Sequence, residues 1–339
     1  MDTTISWKEL GFRYLDTGVY ARADFRRGVW SAAELCTGAS LSLHIAATCL
    51  HYGQACFEGM KAFRQTSGRV VCFRPDAHAR RMTRTAERLA MVPPPKELFI
   101  DTVRKIVAQN DAYVPPYETG ATLYVRPLLI GTSPVIGVHP SDDFAFIIFA
   151  MPVGPYYKAG MVPVCAYVQE AYDRAAPHGV GHVKAAGNYA AGMVGEIEVK
   201  EKGYPVSLYL DSATHTLIDE FGTSNFIGIT GDGRYVTPKS DSILESITND
   251  SLMVIARDLG LKVEHRAVRW DELEDFVEVG ACGTAAVITP ISSITRGDKT
   301  LHFGSEDKPG KTLQRLYDEI QGIRYGTIAD RYGWTMPIG

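Results

Sequence analysis

The spacing of apolar residues along the chain predicts amphipathic helices that alternate with short strands. Apolar residues at intervals of three and four predict helices over 76–91, 96–109, 189–202 and 311–324. We expect the third helix to bury a stripe formed by Ala190, Met193, Val194 and Ile197. Runs of β-branched and aromatic residues predict strands over 69–73, 122–126, 144–151, 162–168, 206–210 and 215–219.

A break in this pattern predicts two domains. The segment PVGPYY at 152–157 combines two prolines with a glycine, which is typical of a linker. A chain of 339 residues is also longer than a single small core usually accommodates. We therefore expect a domain over 1–151, a linker over 152–160 and a larger domain over 161–339.

The composition is ordinary for a globular protein, since hydrophobic residues make up 45% and charged residues 22% of the chain. A formal net charge of -4 argues against nucleic acid or an anionic membrane as the main partner. Neither a leader segment nor an apolar run of membrane-spanning length is found, so we expect a cytoplasmic protein. The six cysteines lack CxxC spacing and the nine histidines lack HExxH spacing, so no metal site is expected.

One lysine stands out for chemistry. The stretch GHVKAAGNY, at 181–189, surrounds Lys184 with residues that have little or no side chain, which lets a bulky ligand come close. A lysine in a confined, poorly hydrated pocket loses part of its preference for the charged form and becomes a usable nucleophile or base. Lys184 is therefore a candidate for Schiff-base chemistry, and a surface lysine on a Gly/Ala loop is the alternative.

Other segments could bind an anionic ligand. The helix over 76–91 carries four arginines, and one of them could hold a phosphate through its planar fork. A helix start at 246–248 and the Gly-Thr-Ala turn at 283–285 offer backbone N–H groups, with ordinary helix capping as the alternative for the first. Glu220, at a strand end, is either a structural acid or the partner of a protonated ring nitrogen.

Together these groups match the needs of pyridoxal 5'-phosphate (PLP). Its aldehyde bonds a lysine, its phosphate needs N–H groups and usually an arginine, and its ring nitrogen needs an acid. From the residues alone, a PLP enzyme is one interpretation. A phosphate- or nucleotide-binding module without covalent chemistry is the other, although neither a P-loop nor a GxGxxG after a strand is found.

Seven motifs, in the same order, give the chain a resemblance to a known family. They are LHYGQACFEGMKAFR, LYVRPLLIGTSPVIGV, PVGPYY, AAPHGVGHVKAAGNYA, IDEFGTSNF, ILESITNDSL and GTAAVITPI. With them the chain resembles the branched-chain amino acid aminotransferases of PLP fold type IV over nearly its whole length. The resemblance implies an α+β fold with a small N-terminal α/β domain and a larger C-terminal domain containing a mixed sheet or barrel.

The resemblance also implies a set of residues that bind the cofactor. Lys184 would hold it as a Schiff base and move the reacting proton. Tyr189 would donate to the phenolic oxygen of the ring, and Glu220 would pair with the ring nitrogen. The phosphate would be bound by Arg81, the backbone N–H groups of Ile247 and Thr248, and the hydroxyl of Thr284.

A second set of residues is implied for the substrate. Thr223 and the Ala285 N–H would meet its α-carboxylate, and Arg126 would accept the distal carboxylate of glutamate. The walls of the apolar pocket would be Tyr52, Phe57 and Tyr124. These roles imply transamination of leucine, isoleucine or valine with 2-oxoglutarate in a homodimer. A D-amino acid aminotransferase or a PLP-dependent lyase of the same fold is the alternative.

Overall fold

The computed structural model describes residues 5–7, 9–154 and 160–339. Contacts along the chain separate two compact units. The first comprises Met1–Tyr156, Lys184–Gly187 and Gly322–Gly339, and the second comprises Tyr157–Val183 and Asn188–Gln321. Two short pieces from the second half of the chain therefore belong to the first unit.

The first half of the chain contains eight strands and three α-helices within the described residues. The helices are α1 (Thr48–His51), α2 (Pro75–Arg88) and α3 (Lys96–Gln109). The strands are β1 (Val19–Arg26), β2 (Val29–Trp30), β3 (Glu34–Thr37), β4 (Ala55–Phe57), β5 (Met60–Arg64), β6 (Val70–Phe73), β7 (Thr122–Gly131) and β8 (Phe144–Val153).

The second half of the described chain supplies the remaining elements. The helices are α4 (Ala186–Glu201), α5 (Ile247–Asp258) and α6 (Lys311–Tyr325). The strands are β9 (Val164–Gln169), β10 (Val206–Leu210), β11 (Ile218–Phe221), β12 (Ser224–Thr230), β13 (Arg234–Pro238), β14 (Lys262–Arg266), β15 (Phe276–Gly283), β16 (Val287–Arg296), β17 (Lys299–His302) and β18 (Thr335–Pro337).

The first unit is built on an antiparallel sheet of nine strands in the order β18-β6-β5-β7-β8-β1-β2, with β3 paired to β1 and β4 to β7. The helices α2 and α3 bury their apolar faces in the core of this unit. Met82 and Ala86 of α2 and Phe99 and Val103 of α3 are 0–1% exposed. Burial of a large apolar side chain contributes about 1.5–3 kcal/mol, so this helix–sheet contact stabilises the unit.

The second unit contains a mixed sheet that closes on itself. Its strands follow the order β11-β10-β9-β16-β15-β12-β13-β14, β17 pairs with β16, and β11 pairs with β12 as well. The extra pairing joins six strands in a ring, from β11 through β10, β9, β16 and β15 to β12. Closure removes exposed edges from these six strands and fixes where each of them ends.

The buried stripe predicted for α4 is wrong. Met193, Val194 and Ile197 are 59%, 51% and 55% exposed, and Ala190 is also exposed. The helix instead packs through Gly195, where a Cβ atom would lie 3.0 Å from the Tyr209 hydroxyl. A close approach through a residue without a side chain has replaced the apolar packing that the helical period suggested.

Several predicted boundaries also differ from the structure. Strand β11 begins at Ile218 instead of 215, because the Asp211 carboxylate accepts N–H groups of Thr214, Thr216 and Leu217 and holds 211–217 as a turn. The predicted linker over 152–160 begins inside β8, which continues to Val153, and 155–159 lie outside the described residues.

Candidate active site

The backbone of Lys184 is fixed by hydrogen bonds within the first unit. Its N–H donates to Thr85 Oγ1 at 3.1 Å, and its carbonyl accepts from the Phe57 N–H at 3.3 Å. The next residue, Ala185, forms an isolated antiparallel bridge with Cys56. The Lys184 Nζ lies 4.9 Å from the centroid of the Phe57 ring. The amine therefore stands over an aromatic face, on a backbone held by both β4 and α2.

An aromatic and cationic surface lies beside that ring. The guanidinium carbon of Arg126 is 4.7 Å from the Phe57 centroid, and its Nη2 donates to the Tyr124 hydroxyl at 2.9 Å. Among the described residues, the buried Arg126 Nε has no hydrogen-bond partner. A Cβ atom at Gly59 would overlap the Tyr124 hydroxyl, so only glycine fits there. This surface combines an apolar wall with an available donor for a carboxylate.

Of the four arginines on α2, only one is turned inward. Arg80, Arg84 and Arg88 are exposed, whereas Arg81 is 6% exposed. Arg80 pairs on the surface with Asp76 at 2.7 Å. Burial separates Arg81 from its neighbours as a candidate for binding an anion, a role that stays a prediction.

The Arg81 side chain belongs to a buried group that we call the Glu58 cluster, formed by Glu58, His78 and Arg81. The guanidinium donates from Nε to Glu58 Oε1 and from Nη2 to Glu58 Oε2, both at 2.7 Å. The His78 Nδ1 lies 2.7 Å from Glu58 Oε2. Glu58 itself is 0% exposed. A carboxylate can only accept, so this contact assigns the proton to Nδ1 of the imidazole.

The protonation states of the Glu58 cluster follow from its burial and from the charges of its members. Burial alone would raise the pKa of Glu58, but Arg81 and His78 together hold that pKa well below its usual range. Burial lowers the pKa of His78, against the opposing effect of Glu58. The cluster is therefore an ionised carboxylate and guanidinium with a neutral imidazole at neutral pH.

In the second unit, Glu220 is held in a buried position on β11. It is 4% exposed, and its Oε1 accepts from the Leu244 N–H at 3.0 Å and from Arg174 Nη2. The Asn225 amide lies 3.4 Å from Glu220 Oε2 and also donates to the Leu244 carbonyl at 2.9 Å. These contacts fix the carboxylate beside the segment that leads into α5.

Strand register brings several predicted residues of the second unit together. Glu220 pairs with Asn225 on β12, and Asn225 pairs with Cys282 on β15. The turn at 284–286 follows directly where β15 ends. Three neighbouring strands therefore place Glu220 near the turn that contains Thr284 and Ala285.

Two more predicted positions lie at the same end of these strands. A Cβ atom at Gly283 would lie 3.8 Å from the Thr223 carbonyl, so the β11–β12 turn adjoins the turn at 284–286. After that turn, Val287 has a φ of 68°, which β-branched residues rarely adopt and which costs about 1–3 kcal/mol. Such strain persists only where the surrounding structure fixes the backbone firmly.

The helix α5 begins next to these turns. The Ser246 hydroxyl caps it by accepting from the Asn249 N–H at 3.1 Å, so Ser246 is the N-cap and Thr248 lies in the first turn. Ile247 and Thr248 are buried, and the N–H groups of a first helical turn have no partner within the helix. The positive end of a 12-residue helix dipole suits an anion there.

Two of the predicted tyrosines remain to be placed. Tyr189 lies in the first turn of α4, and Tyr52 belongs to the first unit. The start of α4 is fixed by Asn188, whose amide donates to the Val180 and Val183 carbonyls at 2.8 and 3.0 Å. Tyr52 is 40% exposed, and its hydroxyl donates to the Ile136 carbonyl. Its placement on a pocket wall stays a prediction.

The sequence patterns alone did not single out five residues of these groups. His78 and Thr85 share the inward face of α2 with Arg81, and a buried arginine there requires a buried acid, which is Glu58. Helical spacing could therefore have indicated that an acid was needed, but not which one. Nothing in the local sequence indicated the contacts that Arg174 and Asn225 make with Glu220.

Two further properties concern the part of the chain that the structure describes. Within it, no helix is long and apolar enough to cross a membrane. No group of three or more His, Cys, Asp or Glu residues there could hold a metal ion.

Comparison with known proteins identifies the group to which these features belong. The family profile described as "Amino-transferase class IV" matches residues 55–294. The branched-chain-amino-acid aminotransferase of Haemophilus influenzae is 45% identical over 98% of this chain and 99% of its own. That of Helicobacter pylori is 43% identical over 99% of this chain and 98% of its own.

The crystal structure of the Escherichia coli branched-chain amino acid aminotransferase superposes with a TM-score of 0.79 at 26% identity, and the match covers 94% of this chain and 100% of that one. The predicted fold class is therefore confirmed. A match of this length, together with the profile, means that the chain belongs to the class IV aminotransferases.

Proposed function

We propose that the protein transfers the amino group of leucine, isoleucine or valine to 2-oxoglutarate, with PLP as cofactor and L-glutamate as product. The observation that carries this proposal is the surface formed by Phe57, Tyr124 and Arg126 beneath the Lys184 amine. An apolar side chain fits against its rings, and a carboxylate fits its guanidinium. The extent and identity of the match to two branched-chain-amino-acid aminotransferases support the same choice of substrate.

The chemistry of the donors in each unit fits PLP. The first unit offers an amine for its aldehyde and the buried Arg81 for its phosphate. The second offers the first turn of α5 and Thr284 for the phosphate, the Glu220 carboxyl group for the ring nitrogen, and Tyr189 for the phenolic oxygen. When bound, PLP supplies an electron sink for the bond that breaks at the substrate Cα.

The protein's own groups would do the rest. Lys184 Nζ would hold the cofactor until an amino acid displaces it, and would then take the proton from the substrate Cα. Its backbone hydrogen bonds to Thr85 and Phe57 limit where that amine can go. General acid–base catalysis by a positioned group is worth about 10²–10⁴-fold. Glu220 would pair with the ring nitrogen and keep it protonated.

A single pocket must accept two unlike side chains. Branched aliphatic groups would contact the rings of Phe57 and Tyr124, whereas the distal carboxylate of glutamate would accept from Arg126. The Arg126 Nε has no hydrogen-bond partner among the described residues, which leaves part of this guanidinium's donor capacity unused. Alternating use of one pocket requires ping-pong kinetics.

The active form is proposed to be a homodimer. The loop after β7 exposes Ile136 and Val138, which are 65% and 87% accessible. Neighbouring apolar side chains with this exposure suit contact with a second copy of the chain.

A visible absorption spectrum of the purified protein tests the function directly. A yellow band that bleaches with L-leucine and returns with 2-oxoglutarate would support both half-reactions. A band that ignores L-leucine and responds to D-alanine would replace the substrate and keep the fold. A protein that stays colourless after incubation with PLP would contradict the proposal.

The lysine needs its own test. Lys184→Ala should abolish transamination while the protein stays folded, and borohydride should leave a stable mass increase on Lys184 of the wild-type protein. Lys200→Ala, at an exposed position in the helix α4 that follows Lys184, is the matched control and should keep full turnover. Normal turnover in Lys184→Ala would exclude the assigned role.

A further inference from the structure

The Glu58 cluster has a geometry that does more than balance charge. Both carboxylate oxygens of Glu58 accept from the guanidinium of Arg81, each at 2.7 Å. Two of the five N–H groups of a guanidinium are used in this way. Because the group is planar and rigid, two fixed contacts set its plane, and the directions of the other three N–H groups follow.

His78 fixes the carboxylate itself. Its Nδ1–H donates to Glu58 Oε2, the oxygen that also accepts from Arg81 Nη2. With Glu58 0% exposed and His78 2% exposed, neither side chain has room to change rotamer. The orientation of Arg81 is therefore set by a carboxylate that is itself held in place.

The same elements also hold the lysine. The Thr85 hydroxyl donates to the Arg81 carbonyl at 2.9 Å and accepts from the Lys184 N–H at 3.1 Å. Phe57, the residue before Glu58, donates its N–H to the Lys184 carbonyl. The side chain of Arg81 and the backbone of Lys184 are thus positioned by one strand segment and one helix face.

We propose that Glu58 is a positioning residue, which orients the Arg81 guanidinium toward the phosphate group of the cofactor. This inference rests on the proposed function, because it takes PLP as the ligand. The free-energy cost of burying these charges supports the proposal. A buried ion pair stabilises a fold no better than well-packed apolar residues of similar volume, so folding alone does not require Glu58. A rigid donor directed at a phosphate does require it.

The experiment compares two ligands that differ only in the phosphate. The full chain is titrated with PLP and with pyridoxal, and binding is followed by the visible band of the lysine-bound ligand. In the wild-type protein PLP should bind far more tightly than pyridoxal. Glu58→Gln should reduce this preference about 10–100-fold, chiefly by weakening PLP binding.

Two more variants show whether Glu58 acts through Arg81. Arg81→Met should also reduce the preference, and adding Glu58→Gln to it should cause little further loss, because effects on one shared contact are not additive. Glu58→Asp keeps the charge but moves it away from the guanidinium, and should lose at least half of the preference on a logarithmic scale. It serves as the test if Glu58→Gln does not fold.

Asp76→Asn is the matched control. It removes the exposed carboxylate that pairs with Arg80 on the same helix, and should leave the preference within twofold of wild type. A Glu58→Gln protein that weakens PLP and pyridoxal equally would overturn the inference, as would additive losses in the double variant or full preference in Glu58→Asp. Wild-type protein that binds PLP and transaminates would leave the proposed function standing in each case.

Discussion

Each unit of the protein contains a buried glutamate paired with an arginine, and the two pairs are built differently. Glu58 gives both oxygens to the Arg81 guanidinium and shares one with His78. Glu220 accepts from Arg174 through one oxygen, from the Leu244 backbone through the same oxygen, and from the Asn225 amide through the other. One carboxylate is held mainly by a cation, and the other is held largely by neutral donors.

The difference separates a carboxylate that orients its partner from one that serves as a fixed charge. Bidentate contact sets the direction of Arg81, so the value of Glu58 lies in what it does to the arginine. A backbone N–H and an amide hold Glu220 together with Arg174, so its position does not depend on a cation alone. It can therefore present a carboxyl group to a ligand, and replacing this group by an amide should affect turnover more than stability.

The largest expected effect is on stability. Glu58→Ala leaves Arg81 buried without its carboxylate, and should lower the free energy of unfolding by about 3–5 kcal/mol in urea denaturation. Glu58→Ala combined with Arg81→Met removes both charges and should recover most of that loss. A double variant as unstable as the single one would mean that packing, and not the stranded charge, accounts for the effect.

Glu220→Gln should act on turnover. The amide keeps an oxygen acceptor for the Leu244 N–H but carries no charge, so kcat for leucine should fall about 10²–10³-fold. The absorption band should persist, because Lys184 is untouched. Circular dichroism at rising temperature is the control. A large loss of stability with normal kcat would mean that Glu220 supports the fold and does not act on the ligand.

Lowering the pH should reduce the free energy of unfolding in two steps, one from each titrating group of the Glu58 cluster. The pKa of His78 is lowered on folding, so below about pH 6.5 the unfolded chain binds a proton that the folded one does not, and stability falls by up to about 1.4 kcal/mol per pH unit. The pKa of Glu58 is also lowered, and its contribution is lost below about pH 4.5. Urea denaturation from pH 7.5 to 5 measures the first step, which His78→Gln should remove. An unchanged slope in that variant would assign the loss to other groups.

The smallest effect on stability is expected at Thr85, whose hydroxyl joins the backbones of Arg81 and Lys184. Thr85→Val removes a hydroxyl that donates to Arg81 and accepts from Lys184, with almost no change of shape. An unsatisfied N–H costs about 1–3 kcal/mol, and thermal unfolding should report a loss near the lower end. A loss above that range would mean that this hydroxyl does more than join two hydrogen bonds.

Elements governed by neighbouring residues could be predicted from the sequence. The helix over 96–109 is found with those bounds, and Leu313, Leu316, Ile320 and Ile323 of α6 are buried as their spacing implied. The stripe of α4 was wrong because its packing depends on Gly195 and on side chains from distant strands. Hydrophobic period alone does not encode such contacts.

The residues of the candidate site also fall into a group that could be predicted from the sequence and a group that could not. Motif residues such as Lys184, Glu220 and Arg126 could be named because their chemistry and order along the chain are distinctive. Their supports could not, because the Lys184–Thr85 hydrogen bond joins residues 99 positions apart. The acid that holds Arg81 lies 23 positions away, between β4 and β5. Only the folded chain brings such pairs together.

The assignment of chain segments to the first unit has a consequence for biosynthesis. Strand β6 pairs with β18, where Phe73 meets Thr335, near the very end of the chain. A ribosome adds about 5–20 residues per second, so β6 waits on the order of tens of seconds for its partner. During that time a nascent chain presents an unpaired apolar strand edge, which is the kind of edge that invites aggregation. The N-terminal unit, although synthesised first, is completed last.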